Sequence, residues 1–159
     1  MKMKRIIAVL SIMVLTLIFT GCGGDSASGG YAAGEDFTLG DNTFALEKCV
    51  RIADMDTDST EGYGVAVLIE GSQAPIIMST SGGAPQSAVA MILVKEDGST
   101  IKSSGINFDG IDDQGKYGVR MTFKFSVPKG EEFPAKATMM SANNEEETAS
   151  LDLTTAPVE

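Results

Sequence analysis

Between Val119 and Val127 the chain alternates without a break: Val119, Met121, Phe123, Phe125 and Val127 are apolar, while Arg120, Thr122, Lys124 and Ser126 are polar. Side chains leave a strand on opposite faces in turn, so this period of two predicts a strand with one dry and one wet face. Pro128-Lys129-Gly130 ends it, since Pro has no N–H for the ladder and Gly admits the turn. Ala149, Leu151 and Leu153 repeat the alternation against Ser150, Asp152 and Thr154. Gly64 to Ile69 and Ala88 to Val94 are instead continuous apolar runs, the pattern of central strands covered on both faces. Between Val94 and Ile101, Glu96-Asp97-Gly98-Ser99 predicts a hairpin, with Asp-Gly as a two-residue turn signal. Strands are expected over 43–53, 63–70, 86–95, 100–108, 117–127, 134–142 and 148–154. No amphipathic helix exceeds two turns, although the 72–86 connection leaves room for a short one. The expected fold class is all-β, a sandwich or barrel of about seven strands.

If consecutive strands run antiparallel, the loops at 54–62, 96–99 and 128–133 share one end of the fold. Those at 71–85, 109–117 and 143–147 share the other. Asp54 and its neighbours would then lie far from Asp109, Asp112 and Asp113.

The N-terminus follows a different rule. Met1-Lys2-Met3-Lys4-Arg5 is positively charged, and the apolar run from Ile6 to Thr20 is 15 residues long. A bilayer-spanning helix needs about 20, so the run reads as the core of an export signal that is removed. Phe19-Thr20-Gly21-Cys22 resembles the lipobox of bacterial lipoproteins. The resemblance implies a signal peptide over 1–21 and a diacylated thiol at Cys22, anchored in the cell membrane and facing outside the cytoplasm. Two acyl chains suffice for stable anchoring. Residues 22–36 follow as a Gly/Ser/Ala-rich linker with little to bury, expected to be a flexible coil reaching roughly 20 Å. The β-domain is expected over 37–159.

Charge and composition narrow the function classes. The chain carries 12 basic and 22 acidic residues, a formal −10; without Lys2, Lys4 and Arg5 nine basic residues remain, a formal −13. Nucleic acid and anionic headgroups both demand a basic patch, so neither is expected as a partner. There is no His and no Trp, which removes the commonest general base and the commonest zinc ligand. With Cys22 lipidated, Cys49 is left single, either a reactive thiol or a small buried hydrophobe in a strand.

A second resemblance lies in the order of four segments. They are Gly64-Val65-Ala66-Val67-Leu68-Ile69-Glu70, Gln73-Ala74-Pro75-Ile76-Ile77, Ile92-Leu93-Val94-Lys95-Glu96-Asp97-Gly98 and Thr122-Phe123-Lys124-Phe125-Ser126-Val127-Pro128-Lys129-Gly130. Over roughly 40–142 the chain resembles the Ig-like domain of unknown function carried by many Gram-positive lipoproteins and related to secreted immunoprotective antigens. Glu70-Gly71-Ser72 stands where that family commonly ends its second strand with Asn. The resemblance implies an Ig-like antiparallel β-sandwich and no established chemistry. The Cys…Trp…Cys core of antibody domains is absent.

Candidate chemistry concentrates in Asp54-Met55-Asp56-Thr57-Asp58-Ser59-Thr60-Glu61. Carboxylates at alternate positions can aim oxygens at one hard cation, so Asp54, Asp56, Asp58 and Glu61 are the candidate calcium ligands. An EF-hand loop is excluded, because Ser59 stands at the turn Gly and Val65 at the bidentate Glu. A solvated acidic turn is the plainer reading. Ser99-Thr100-Ile101-Lys102 matches Ser-x-x-Lys, but that chemistry needs a helix, and in a strand the two side chains face opposite ways. Gly62-Tyr63-Gly64 lacks the third Gly of a dinucleotide fingerprint. Met121 belongs to the inward row and adjacent Met139 and Met140 point to opposite faces, so the methionines read as core filler rather than a soft-metal site. Tyr63, Tyr117 and Phe108 lie at expected strand ends, as a contact patch or as plugs of the core.

The function expected is a membrane-anchored lipoprotein acting as a non-catalytic binding module for an envelope protein or an extracellular ligand. The alternative is a calcium- or ligand-binding accessory or sensor lipoprotein that uses the acidic loop. No cofactor is expected otherwise.

Overall fold

The computed structural model describes residues 29–77, 86–111 and 115–159. The signal peptide expected at 1–21, Cys22, Asp112 and Asp113 lie outside the described residues, as does most of the 72–86 connection. The strands are β1 (Asp36–Leu39), β2 (Asn42–Arg51), β3 (Thr60–Glu70), β4 (Ile76–Ile77), β5 (Gln86–Ser87), β6 (Val89–Val94), β7 (Thr100–Lys102), β8 (Gly105–Gly110), β9 (Tyr117–Pro128), β10 (Lys136–Ser141) and β11 (Thr148–Asp152).

They build two antiparallel sheets, ordered β1-β2-β3-β9-β8 and β11-β10-β6-β7, with β4 and β5 as a separate ribbon. The series β2-β3-β9-β8 against β11-β10-β6 reproduces the A-B-E-D and G-F-C order of immunoglobulin sandwiches. The all-β sandwich expected from the pattern is what forms. The alternating row of β9 points inward: Val119, Met121, Phe123, Phe125 and Val127 are all buried, against Val65, Val67 and Ile69 of β3 and Val89, Met91 and Leu93 of β6. Burying each such side chain contributes about 1.5–3 kcal/mol. The two apolar runs are central strands, with β3 between β2 and β9 and β6 between β10 and β7, but β6 is covered on one face only, since Ala90 on its other face is exposed.

Four local differences from the expected pattern have physical causes. The strand expected over 100–108 is two strands, β7 in one sheet and β8 in the other, and the chain crosses between sheets at Ser103-Ser104. In β2 a bulge at Glu47 breaks the register between Leu46 and Lys48, so Leu46 and Cys49 both reach the core although three positions apart. The hairpin at 96–98 has three residues rather than two: Lys95 N–H donates to Ser99 C=O at 2.9 Å, and Gly98 takes φ +82°. That left-handed position is the one a Gly fills without strain.

The fourth difference is where the folded body begins. Residues 30–36, expected in the flexible linker, belong to the sandwich. Tyr31 N–H donates to Ser150 C=O at 2.8 Å and Asp152 N–H to Tyr31 C=O at 2.9 Å. The Tyr31 ring stacks on Phe37 at 5.1 Å, and β1 then pairs with β2. These contacts cover the outer edge of β11. On the other sheet Cys49 N–H donates to Pro157 C=O at 2.9 Å and Arg51 N–H to Glu159 C=O at 2.8 Å, so the last residues cover the edge of β2 beyond β1. The opposite flank, between β7 and β8, has no such cover among the described residues.

Candidate functional site

The acidic loop is held by an arginine. Arg51, at the end of β2, donates from Nη1 to Asp56 Oδ1 and from Nη2 to Asp56 Oδ2, each at 2.8 Å. Nη1 also donates to Gly62 C=O at 2.8 Å, and Gly62 N–H donates back to Asp56 Oδ1 at 2.9 Å. The Arg51 hydrogen bonds first, then the Gly62 N–H, pull the Asp56 carboxyl from its usual value to about 2. Glu61 lies 3.7 Å from Arg51 and accepts from the Tyr63 hydroxyl at 3.1 Å. Asp54 sits in a single turn of 3-10 helix, Ala53–Met55, and Asp54 and Asp58 are exposed.

Asp54, Asp56, Asp58 and Glu61 therefore do not converge on one cation. Among the described residues no three acidic, Cys or His groups do so. The segment expected to offer calcium ligands is an arginine-braced turn, in which Asp56 is already paired with Arg51. The end-sharing expected for the loops is seen directly: Lys129 N–H donates to Ser59 C=O at 2.9 Å, and Lys95 pairs with Glu131 at 2.6 Å.

The remaining sequence candidates separate. Tyr63 stacks on Phe133 at 4.7 Å and plugs one end of the core. Tyr117 starts β9 at the other end, where its hydroxyl and Lys116 both bond Asp36, and those bonds lower the Asp36 pKa. Phe108 is on the edge strand β8 and is 38 % exposed. The three do not form one patch. Ser99 donates to Asp97 at 2.6 Å in the hairpin, while Lys102 ends β7. Met121 and Met139 are buried, and Cys49 is fully buried. Burial raises its thiol from 9.0 to about 11.

One concavity lined by described residues lies on the uncovered flank. Lys95, Leu93 and Met91 turn their backbone groups toward β7: Lys95 N–H meets Ser99 C=O at 2.9 Å, and Met91 C=O receives Ser103 N–H at 3.3 Å. Backbone groups alternate sides along a strand, so Val89 points the same way. After Lys102, however, the chain leaves for the other sheet, and Gly105 pairs with Lys124 instead of lying opposite Val89. The space beside the first half of β6 is left as a groove of about 840 Å³. Its lining includes Lys102, Ser103, Ser104, Ile106, Ile92 and Met140, and at its base stand Val89, Met91 and Phe123, core side chains with almost no exposed surface.

The serine hydroxyls of the lining and the Val89 backbone groups have partners. Ser87 Oγ donates to Val89 C=O at 2.7 Å and accepts from Val89 N–H at 3.2 Å. Ser103 Oγ donates to Gly105 C=O at 2.9 Å, and Ser104 Oγ to Lys124 C=O at 3.2 Å. No acidic residue lines the groove, and Lys102 makes no ion pair with a described residue. Sequence reasoning missed this site. The signal available was Ser103-Ser104-Gly105, since a Gly inside a strand pattern marks a bulge, bend or crossing.

No protein-family model, curated protein or solved structure matches this chain.

Proposed function

We propose that this chain is a lipid-anchored, extracytoplasmic binding module without catalytic activity, and that it engages its ligand or envelope partner through the groove between β6, β7 and β8. The observation that carries the reading is the groove itself. It is an apolar concavity in the size range of small-ligand sites, with a few polar groups at its rim. The anchor rests on the charged start, the short apolar run and the Phe19-Thr20-Gly21-Cys22 motif. The chain enters the sandwich beside β11, so the groove lies on the flank away from the tether. The lack of His, and a Ser99 engaged with Asp97 in a hairpin, support a non-catalytic role. The net charge of −10 disfavours nucleic acid as the partner.

A photo-cross-linking residue in place of Ser104, at the groove rim, tests this in intact cells against the same residue in place of Asp41 on the far flank. Adducts at 104 and none at 41 are expected. Equal labelling, or none at either position, would remove the groove from the account.

A further inference from the structure

On the uncovered flank β8 is the longer edge strand, with 6 residues against the 3 of β7. Its backbone groups divide by parity. Ile111 N–H donates to Gly118 C=O at 2.9 Å, and the same register sets Asp109 opposite Arg120, Asn107 opposite Thr122 and Gly105 opposite Lys124. Backbone groups alternate sides along an antiparallel strand, so 105, 107 and 109 face β9. Ile106, Phe108 and Gly110 therefore turn N–H and C=O outward, and no described residue bonds them.

Proteins blunt a bare edge with Lys, Pro, a bulge or a very short strand. The sequence of β8 holds no Lys and no Pro, its register with β9 runs without a shift, and Phe108 is exposed. What this edge matches is itself. Against a second β8 running antiparallel, one register pairs all three outward residues: Phe108 meets its counterpart, and Ile106 meets Gly110 in both directions. The same register sets Asn107 opposite Asp109 twice, so an amide that can donate faces a carboxylate and no like charges stand opposite each other. Contact of a residue with its own counterpart on the axis is what a two-fold interface requires.

We infer that a second copy of this chain pairs with β8 about Phe108 and joins the two five-stranded sheets edge to edge. The contact is small and each copy carries a net charge of −10, so the copies repel in dilute solution. Pairing belongs to chains concentrated on one membrane, and in this respect the inference rests on the anchor proposed above.

Disulfide mapping of the full chain in intact cells tests it. Positions 107 and 109 of opposed copies form a non-hydrogen-bonded pair, about 4.5 Å between Cα atoms, which a disulfide spans. Each position lies about 7–8 Å from its own counterpart, which a disulfide does not span. Cells co-expressing Asn107→Cys and Asp109→Cys chains should, on oxidation with copper phenanthroline, link well above either variant alone. They should also exceed wild type, whose Cys49 is buried. Adding Phe108→Lys to both chains should cut the yield about fivefold, the scale of one cross-strand pair. Phe108→Pro, which removes an N–H that β9 does not use, should do the same in a chain that keeps its unfolding midpoint. A mixture that links no more than wild type, equal linking by the single variants, or disulfides only to a different protein would overturn the inference. Membrane fractionation of the same cells reads the anchor independently, so a chain that is anchored and does not link separates the two.

Discussion

Ser87 closes both backbone groups of Val89 with one hydroxyl, donating to the carbonyl at 2.7 Å and accepting from the N–H at 3.2 Å. A neighbouring strand would normally do this, and β7 does so for Leu93 on the same edge. The hydroxyl substitutes for the strand that turned away. At this position of β6 the edge therefore offers no unpaired backbone group to a foreign strand.

Removing that hydroxyl tests the relationship. Ser87→Ala should cost about 1 kcal/mol, the net value of an ordinary hydrogen bond, and should speed amide exchange at Val89 by hydrogen–deuterium measurement. Unchanged exchange at Val89 would mean that the serine does not protect the edge.

The Arg51–Asp56 brace makes a pH prediction. The Asp56 pKa falls from 3.8 to about 2 in the folded protein. A carboxyl depressed by folding contributes stability that is present above its unfolded value and lost as pH falls through the folded one. Asp56→Asn should therefore lose less stability than wild type between about pH 4 and about pH 2. Urea midpoints at the two ends of that window decide it, and parallel losses in both proteins would remove the brace as a contributor.

Two glycines separate packing from conformational freedom. A Cβ at Gly62 would come within 2.4 Å of Ile52 O and of Met55 Cβ, whereas at Gly105 it meets nothing within 4 Å. Gly62→Ala should destabilise by about 1–3 kcal/mol, as overpacking does. Gly105→Ala should leave the unfolding midpoint close to wild type. Equal effects at the two sites would contradict the contact geometry.

Burial of Cys49 predicts silence toward alkylation. With the thiol raised from 9.0 to about 11, iodoacetamide at about pH 8 should label position 49 only after unfolding, read by peptide mass mapping. The sign for stability is opposite to that of Asp56. The unfolded thiol ionises first as pH rises past 9.0, so stability falls there. Fast labelling of the native chain would place the thiol at the surface.

The membrane anchor is separable from the groove. Wild type should fractionate with membranes and carry a diacylglyceryl mass at Cys22, and Cys22→Ser should lose both. A native protein with an unmodified N-terminus would end the lipoprotein reading while leaving the sandwich intact.

What could be read from the sequence was local. The β9 row from Val119 to Val127 announces its strand because burial on one face imposes period two, and Pro128-Lys129-Gly130 marks its end. The central strands β3 and β6 show in their continuous apolar runs. The crossing at Ser103-Ser104 was hidden, since Thr100 to Phe108 is compatible with one strand and sheet membership is decided by distant partners. Without that crossing there is no groove, so the site was hidden with it. The Arg51 partner of the acidic loop was hidden for a related reason. Carboxylate spacing describes one side of an electrostatic contact, and Arg51, five residues before Asp56, supplies the other.

The comparison that weighs heaviest is between wild type and Ile106→Trp, at a groove-lining position on the same sheet face as Phe123, each carrying the photo-cross-linking residue in place of Ser104 and each followed for unfolding midpoint and adduct yield in intact cells. A binding groove predicts that the variant keeps its midpoint and loses its adduct. A variant that folds as well as wild type and still cross-links as strongly would show that the space beside Val89 is only a consequence of how the strands cross.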